Sequence, residues 1–172
     1  MMSPQARAEN ILGKVRQEFG FVPNVIKEMV HSPAVAELYF GGIKTLRSAS
    51  LNEREIQAIS LTVAAFNGCS YCVAAHCTIA KKSGIDEKDI EALSKGDAPE
   101  NNRLKTLTIA SQLILEKKGW LNEMDLSDLA DKGIDKTQIY EIVAVIGLKT
   151  LATYINHIAH TPIDKEFAPL KP

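Results

Sequence analysis

The stretch Asn52 to Asn67 constrains the fold more than any other. Ile56, Ile59, Val63 and Phe66 fall at helical spacing, Asn52 can serve as N-cap, and Glu55 stands three residues later as its capping-box partner. The helix is expected to stop at Asn67-Gly68, and the chain restarts at once as a helix from about Ser70 to Lys82, ended by Gly84. Between these two helices there is no room for a strand.

Helical periodicity recurs along the rest of the chain and strand alternation does not. Pro4 to Phe19 suits an amphipathic helix broken by Gly20-Phe-Val-Pro23; Asn24 can cap a short helix through Val30, and Ser32-Pro33 a third running toward Leu46. Further helices are expected near Glu87 to Leu93, from Arg103 to Lys118 after the polar loop Gly96 to Asn102, and near Met124 to Lys132. Asp135 or Thr137 can cap a last long helix that reaches about His160 before Pro162. Within it, Ile142 to Leu148 is apolar almost all the way round, which suits a core or a subunit interface. The tail after Thr161 is expected to lie along the surface. The fold class is therefore all-α, as one domain over 1–172: N-terminal helices 1–50, a cysteine-bearing core 51–95, and C-terminal helices 96–172.

The cysteines fall at the junction of the two best-defined helices. Asn67-Gly-Cys-Ser-Tyr-Cys-Val-Ala-Ala-His76 reads C-x-x-C-x-x-x-H, and at about 100° per residue Cys69, Cys72 and His76 return to one helical face within roughly 60°. A thiol is nucleophilic as thiolate, and free N–H groups of a helix's first turn lower its pKa. Cys72 occupies that turn, and His76, one turn on, can take its proton. Cys72 is thus the attacking thiol, His76 the proton acceptor and Cys69 the resolving thiol, since residues three apart on a helix lie about 5 to 6 Å apart, within disulfide reach.

Other readings stand beside this one. An isolated C-x-x-C can be two small packing residues. Zinc could draw on Cys69, Cys72, His76 and Cys77, but Cys77 points roughly 140° from Cys72 on a helix, and no bound metal or other cofactor is expected. Cys77 reads as packing, with His157 and His160 near the C-terminal dipole of the last helix and His31 on the surface.

Twenty Lys and Arg against twenty-one Asp and Glu give a formal charge of −1 with no long like-charge block, so no nucleic-acid footprint is present. The charged N-terminus does not suit a secretory signal, and no run approaches the roughly 18 uninterrupted apolar residues of a membrane span. The expectation is a cytoplasmic protein with no membrane partner. Three cysteines in 172 residues suit catalysis or redox sensing better than a disulfide scaffold.

The run Leu51 to His76, continuing through Ala80-Lys-Lys-Ser-Gly84 to Ile90-Glu-Ala-Leu93, resembles the core of the AhpD-like alkylhydroperoxidases of the carboxymuconolactone decarboxylase superfamily. Asp135 to Ile142, Tyr154-Ile-Asn-His157 and Pro162-Ile-Asp164 are similar to that family's closing helix and tail, and the first fifty residues have no specific counterpart. The resemblance implies orthogonally packed helices, a homo-oligomer such as a trimer or hexamer, and hydroperoxide reduction with the Cys69–Cys72 disulfide reopened by a dithiol reductant of dihydrolipoamide type on a partner protein. It also implies a glutamate relay twelve residues before Cys69, where this chain has Gln57. Glutamine accepts no proton; it can hydrogen-bond Cys72 or His76 as a buried amide, or Glu53, one turn earlier, can substitute. The alternatives are a disulfide reductase or redox adaptor with weak peroxidase activity, or a non-redox decarboxylase-like protein.

Overall fold

The computed structural model describes residues 2–167, which form nine helices and no strand. These are α1 (Pro4–Phe19), α2 (Asn24–Met29), α3 (Pro33–Leu46), α4 (Glu53–Phe66), α5 (Ser70–Lys82), α6 (Glu87–Lys95), α7 (Asn102–Glu116), α8 (Glu123–Asp131) and α9 (Lys136–Ala159). The boundaries expected for α6, α7, α8 and α9 shift by one or two residues, within ordinary fraying.

Helix α4 is the hub. It packs against α5, α6, α7 and α9, and ten of its fourteen residues are buried. The expected apolar stripe is thus only part of its buried surface; Phe66, assigned to that stripe, sits in the last turn and is half exposed. Its start is the predicted capping box, with Asn52 accepting from Glu55 N–H and Glu55 accepting from Asn52 N–H. The other Glu55 oxygen accepts from Arg103 Nε at 2.6 Å, tying α4 to α7.

The α4 end is a Schellman motif: Gly68 N–H bonds Ala65 carbonyl and Cys69 N–H bonds Ala64 carbonyl, with Gly68 at φ +65°. That left-handed angle is why glycine stands there.

Two apolar clusters share the interior. Leu61, Leu93, Leu107, Ile142 and Val145 belong to the first, along with Cys77 and Ala80 of α5. Met29, Ala36 and Tyr39 of the N-terminal helices join Cys69, Tyr71, Cys72 and Ala152 in the second. The first fifty residues therefore cover the cysteine pair.

The structure departs from the sequence expectation at α2 and at the tail. Asn24 does not cap α2: Pro23 precedes the helix with no side-chain cap, and Asn24 is its first residue. Its N–H is received instead by the Asp164 carboxylate at 2.9 Å, from a residue far along the chain. Nor does the tail merely lie along the surface. Asp164 is buried, also accepts from Tyr71 hydroxyl at 2.6 Å, and Phe167 packs edge-on against Tyr71 and Phe21. Residues 168–172 of that tail lie outside the described residues.

By length and composition α9 is apolar enough to cross a membrane. Here one face packs on α2, α3, α4, α5 and α7, and it is this face that carries Lys149, Thr153 and Asn156. The opposite side leaves Tyr140, Val143, Tyr154 and Ile158 exposed.

Leu61 is fully buried in the hub helix. Leu61→Ala is expected to lower the unfolding free energy by about 2–5 kcal/mol, read as a lower denaturant midpoint at unchanged slope.

Candidate functional site

Cys69 serves two helices. Its N–H closes α4, and its sulfur accepts from Cys72 N–H at 3.2 Å as the N-cap of α5. Cys72 is the third helical residue and so lies among the free N–H groups of the first turn. The two sulfurs are joined as a disulfide, with Cα atoms 5.2 Å apart. The pair is deep: Cys69 is 2% exposed and Cys72 6%.

His76 lies one turn beyond Cys72 and is buried. Its Nδ1 stands 2.8 Å from Gln57 Oε1, while Gln57 Nε2 donates to Glu53 Oε1 at 2.7 Å. Glu53 therefore orients the amide: its carboxylate takes the N–H side of Gln57, so the carbonyl faces His76 and Nδ1 must carry the hydrogen. The Nε2 lone pair of His76 is left as the acceptor. Burial, and secondarily the positive charge of Lys149, hold the imidazole well below its ordinary pKa of 6.5.

The far wall of the site comes from α9. Thr153 Oγ1 and Asn156 Nδ2 each lie 3.4 Å from Cys72 Sγ. Asn156 Oδ1 is buried and has no hydrogen-bond partner among the described residues. Lys149, one turn before Thr153, is buried with its Nζ 3.5 Å from Tyr39 hydroxyl and 5.5 Å from the Tyr39 ring centre. None of these three α9 residues was assigned to the site from the sequence, although Asn156 lies within the Tyr154-Ile-Asn-His157 run that resembles the family's closing helix. The signal that could have found them is a lysine, a threonine and an asparagine at i, i+4 and i+7 on a mostly apolar helix, a polar stripe on the face that packs.

Of the residues singled out in the sequence, Cys69, Cys72, His76, Gln57 and Glu53 come together. Cys77 does not: it is a free thiol in the other apolar cluster, and burial pushes its pKa up to about 11. His157 and His160 are exposed, His160 as the left-handed C-cap of α9, and His31 is exposed beside Glu28. Among the described residues no three His, Cys, Asp or Glu side chains group as a metal site.

The His76 shift has a pH consequence. The unfolded imidazole takes its proton near 6.5 and the folded one well below, so between them the unfolded state binds more protons. Stability from this group is complete above 6.5 and is lost as pH falls through that window. Nitrogen NMR is expected to find His76 as the neutral Nδ1–H tautomer at pH 6.5, with denaturant stability declining below it.

Residues 33–102 match the model of the carboxymuconolactone decarboxylase family, so the match reaches back over α3, part of the first fifty residues for which no counterpart was expected. No curated protein matches the sequence. Among solved structures, an alkylhydroperoxidase AhpD core, peroxidase-related protein from Ralstonia eutropha JMP134 has a TM-score of 0.81 at 23% identity, over 96% of this chain and 91% of that one. A peroxidase-related protein from Silicibacter sp. TM1040 has a TM-score of 0.79 at 18% identity, over 94% and 87%. The debrominase Bmp8 has a TM-score of 0.73 at 17% identity, over 96% and 90%, and a cysteine-to-alanine variant of it is known in complex with 2,3,4-tribromopyrrole. The chain thus has the all-helical AhpD-like fold, and residues 33–102, cysteine pair included, carry the pattern of the carboxymuconolactone decarboxylase family.

Proposed function

We propose that the protein is a thiol-dependent peroxidase that reduces hydroperoxides through Cys69 and Cys72. The observation that carries this reading is the surroundings of Cys72: a helix first turn behind it, Thr153 and Asn156 polar groups 3.4 Å from its sulfur, and a neutral, oriented His76 one turn away. Each feature favours a thiolate or handles its proton.

In the reduced protein His76 Nε2 relays the Cys72 proton to solvent and returns to its neutral form. The thiolate attacks the terminal oxygen of ROOH, the O–O bond breaks, and the alkoxide leaves as ROH with a proton drawn from solvent through His76. Cys72 is then a sulfenic acid. Asn156 Oδ1, buried beside the sulfur and otherwise unpaired, suits the hydroxyl hydrogen of the peroxide before attack. The Cys69 sulfur next attacks the sulfenic sulfur; the disulfide forms and the oxygen leaves as water. An external dithiol supplies two electrons and two protons to reopen the bond. A dihydrolipoamide-type reductant on a partner protein and a cytoplasmic homo-oligomer belong to this proposal, and the exposed apolar residues of α9 are consistent with association.

A second reading is favoured by Gln57. An amide cannot raise the basicity of His76 as a carboxylate would, so the pair suits a disulfide reductase or redox adaptor with slow peroxidase chemistry. The fold shared with a debrominase is compatible with dithiol chemistry on another electrophile.

Stopped-flow reduction of hydrogen peroxide and cumene hydroperoxide by pre-reduced protein separates these readings. Cys72→Ser is expected to abolish consumption, and Cys69→Ser to leave a trappable sulfenic acid on Cys72. Unchanged consumption in both variants would refute the peroxidase. Exchanging the two α4 side chains, as Glu53→Gln with Gln57→Glu, places a carboxylate at His76 Nδ1 without two adjacent acids. It is expected to raise the His76 pKa and to speed peroxide reduction about tenfold or more.

A further inference from the structure

Among the described residues, Lys149 is a buried ammonium with no counter-anion beside it. The residue is 8% exposed, and among the described residues no carboxylate lies within ion-pair distance of it. Its contacts are the Tyr39 hydroxyl at 3.5 Å and the face of the Tyr39 ring at 5.5 Å. A desolvated cation in such surroundings is costly unless a negative charge is available to it.

Helix register shows where that charge arises. Thr153 and Asn156 face Cys72, and Lys149 lies one turn earlier on the same α9 stripe. On α5, His76 lies one turn after Cys72 and feels the Lys149 charge. The two stripes therefore run past each other with Lys149 near the Cys72–His76 turn. As a disulfide the pair offers Lys149 no anion; as a dithiol it can.

We propose that Lys149 is the counter-cation of the reduced pair, stabilising the Cys72 thiolate and so favouring the dithiol over the disulfide. This rests on the reading that Cys69 and Cys72 cycle between those two states. The balance is simple: a dithiol gives two electrons and two protons, and the Cys69–Cys72 bond opens. Cys69 keeps one proton as a thiol, Cys72 remains a thiolate beside Lys149, and the second proton goes to solvent. Among the described residues no other group packed around the pair supplies this positive charge. His76 on α5 is neutral, Gln57 separates Glu53 of α4 from His76, Tyr39 of α3 offers a phenol, and Asp164 is engaged by Tyr71 and the Asn24 N–H.

The test uses pre-reduced full-length protein and no peroxide. Iodoacetamide alkylation rates are measured across pH, with mass analysis assigning the modified cysteine, for the native chain, Lys149→Met and Lys149→Arg. In the native chain the apparent pKa of Cys72 is expected below the ordinary thiol value of about 8.5. In Lys149→Met it rises by about one unit, and alkylation at neutral pH falls about tenfold. The equilibrium constant for reduction by dithiothreitol falls in parallel, and Lys149→Arg keeps the native profile. An unchanged Cys72 profile in a helical Lys149→Met protein overturns the proposal, and so does a native Cys72 pKa at or above 8.5, a result that needs no variant to fold. A native disulfide that dithiothreitol cannot open overturns the redox reading along with the role of Lys149. A reducible pair indifferent to Lys149 overturns the second alone.

Discussion

The three-residue junction Asn67-Gly68-Cys69 between α4 and α5 is the constraint on which the rest of the structure depends. Cys69 belongs to both helices: its N–H ends one and its sulfur caps the other. Because α4 is buried by four neighbouring helices, the residue that closes it is held at a fixed depth. The first turn of α5, and with it Cys72, inherits that position. A flexible connection would let the pair drift; a Schellman turn through Gly68 does not.

The site is then walled by a helix distant in sequence. Helix α9 lays Lys149, Thr153 and Asn156 along α5, so the sulfur of Cys72 meets two polar groups and the histidine meets a positive charge. On the other side, α4 contributes Gln57 and Glu53 in a single column that fixes which nitrogen of His76 bears hydrogen. In the oxidised site the Lys149 ammonium has no carboxylate within ion-pair distance among the described residues, and the Glu53 carboxylate is engaged by Gln57. That suits a site in which the negative charge appears only on reduction.

Much of this was legible from local sequence, for a local reason. The capping box of α4, the stop at Asn67-Gly68 and the restart at Ser70 are decided by groups within a few residues of each other, and the structure has them where the spacing places them. The approach of Gln57 to the cysteine helix was indicated by the family resemblance, since the spacing within α4 does not say which helix faces that residue. What failed was everything closed by a remote partner. Asn24 has the chemistry of a cap, yet the carboxylate that serves α2 is that of Asp164. The Pro-containing tail has a surface composition, yet Asp164 and Phe167 anchor it against Tyr71. Phe66 keeps the helical spacing of a core residue but is half exposed, because burial depends on which neighbours reach that turn.

The sequence by itself determined the helices, their junction at Cys69, and the common face of Cys69, Cys72 and His76, because each follows from hydrogen bonds and side-chain directions within two turns of backbone. Only the tertiary structure decided what that face looks onto. The burial of His76, the orientation of Gln57 by Glu53 against it, and the approach of Lys149, Thr153 and Asn156 to the sulfur all depend on helix packing. Thiol and imidazole acidities respond to desolvation and to charges several ångströms away, whichever part of the chain brings them.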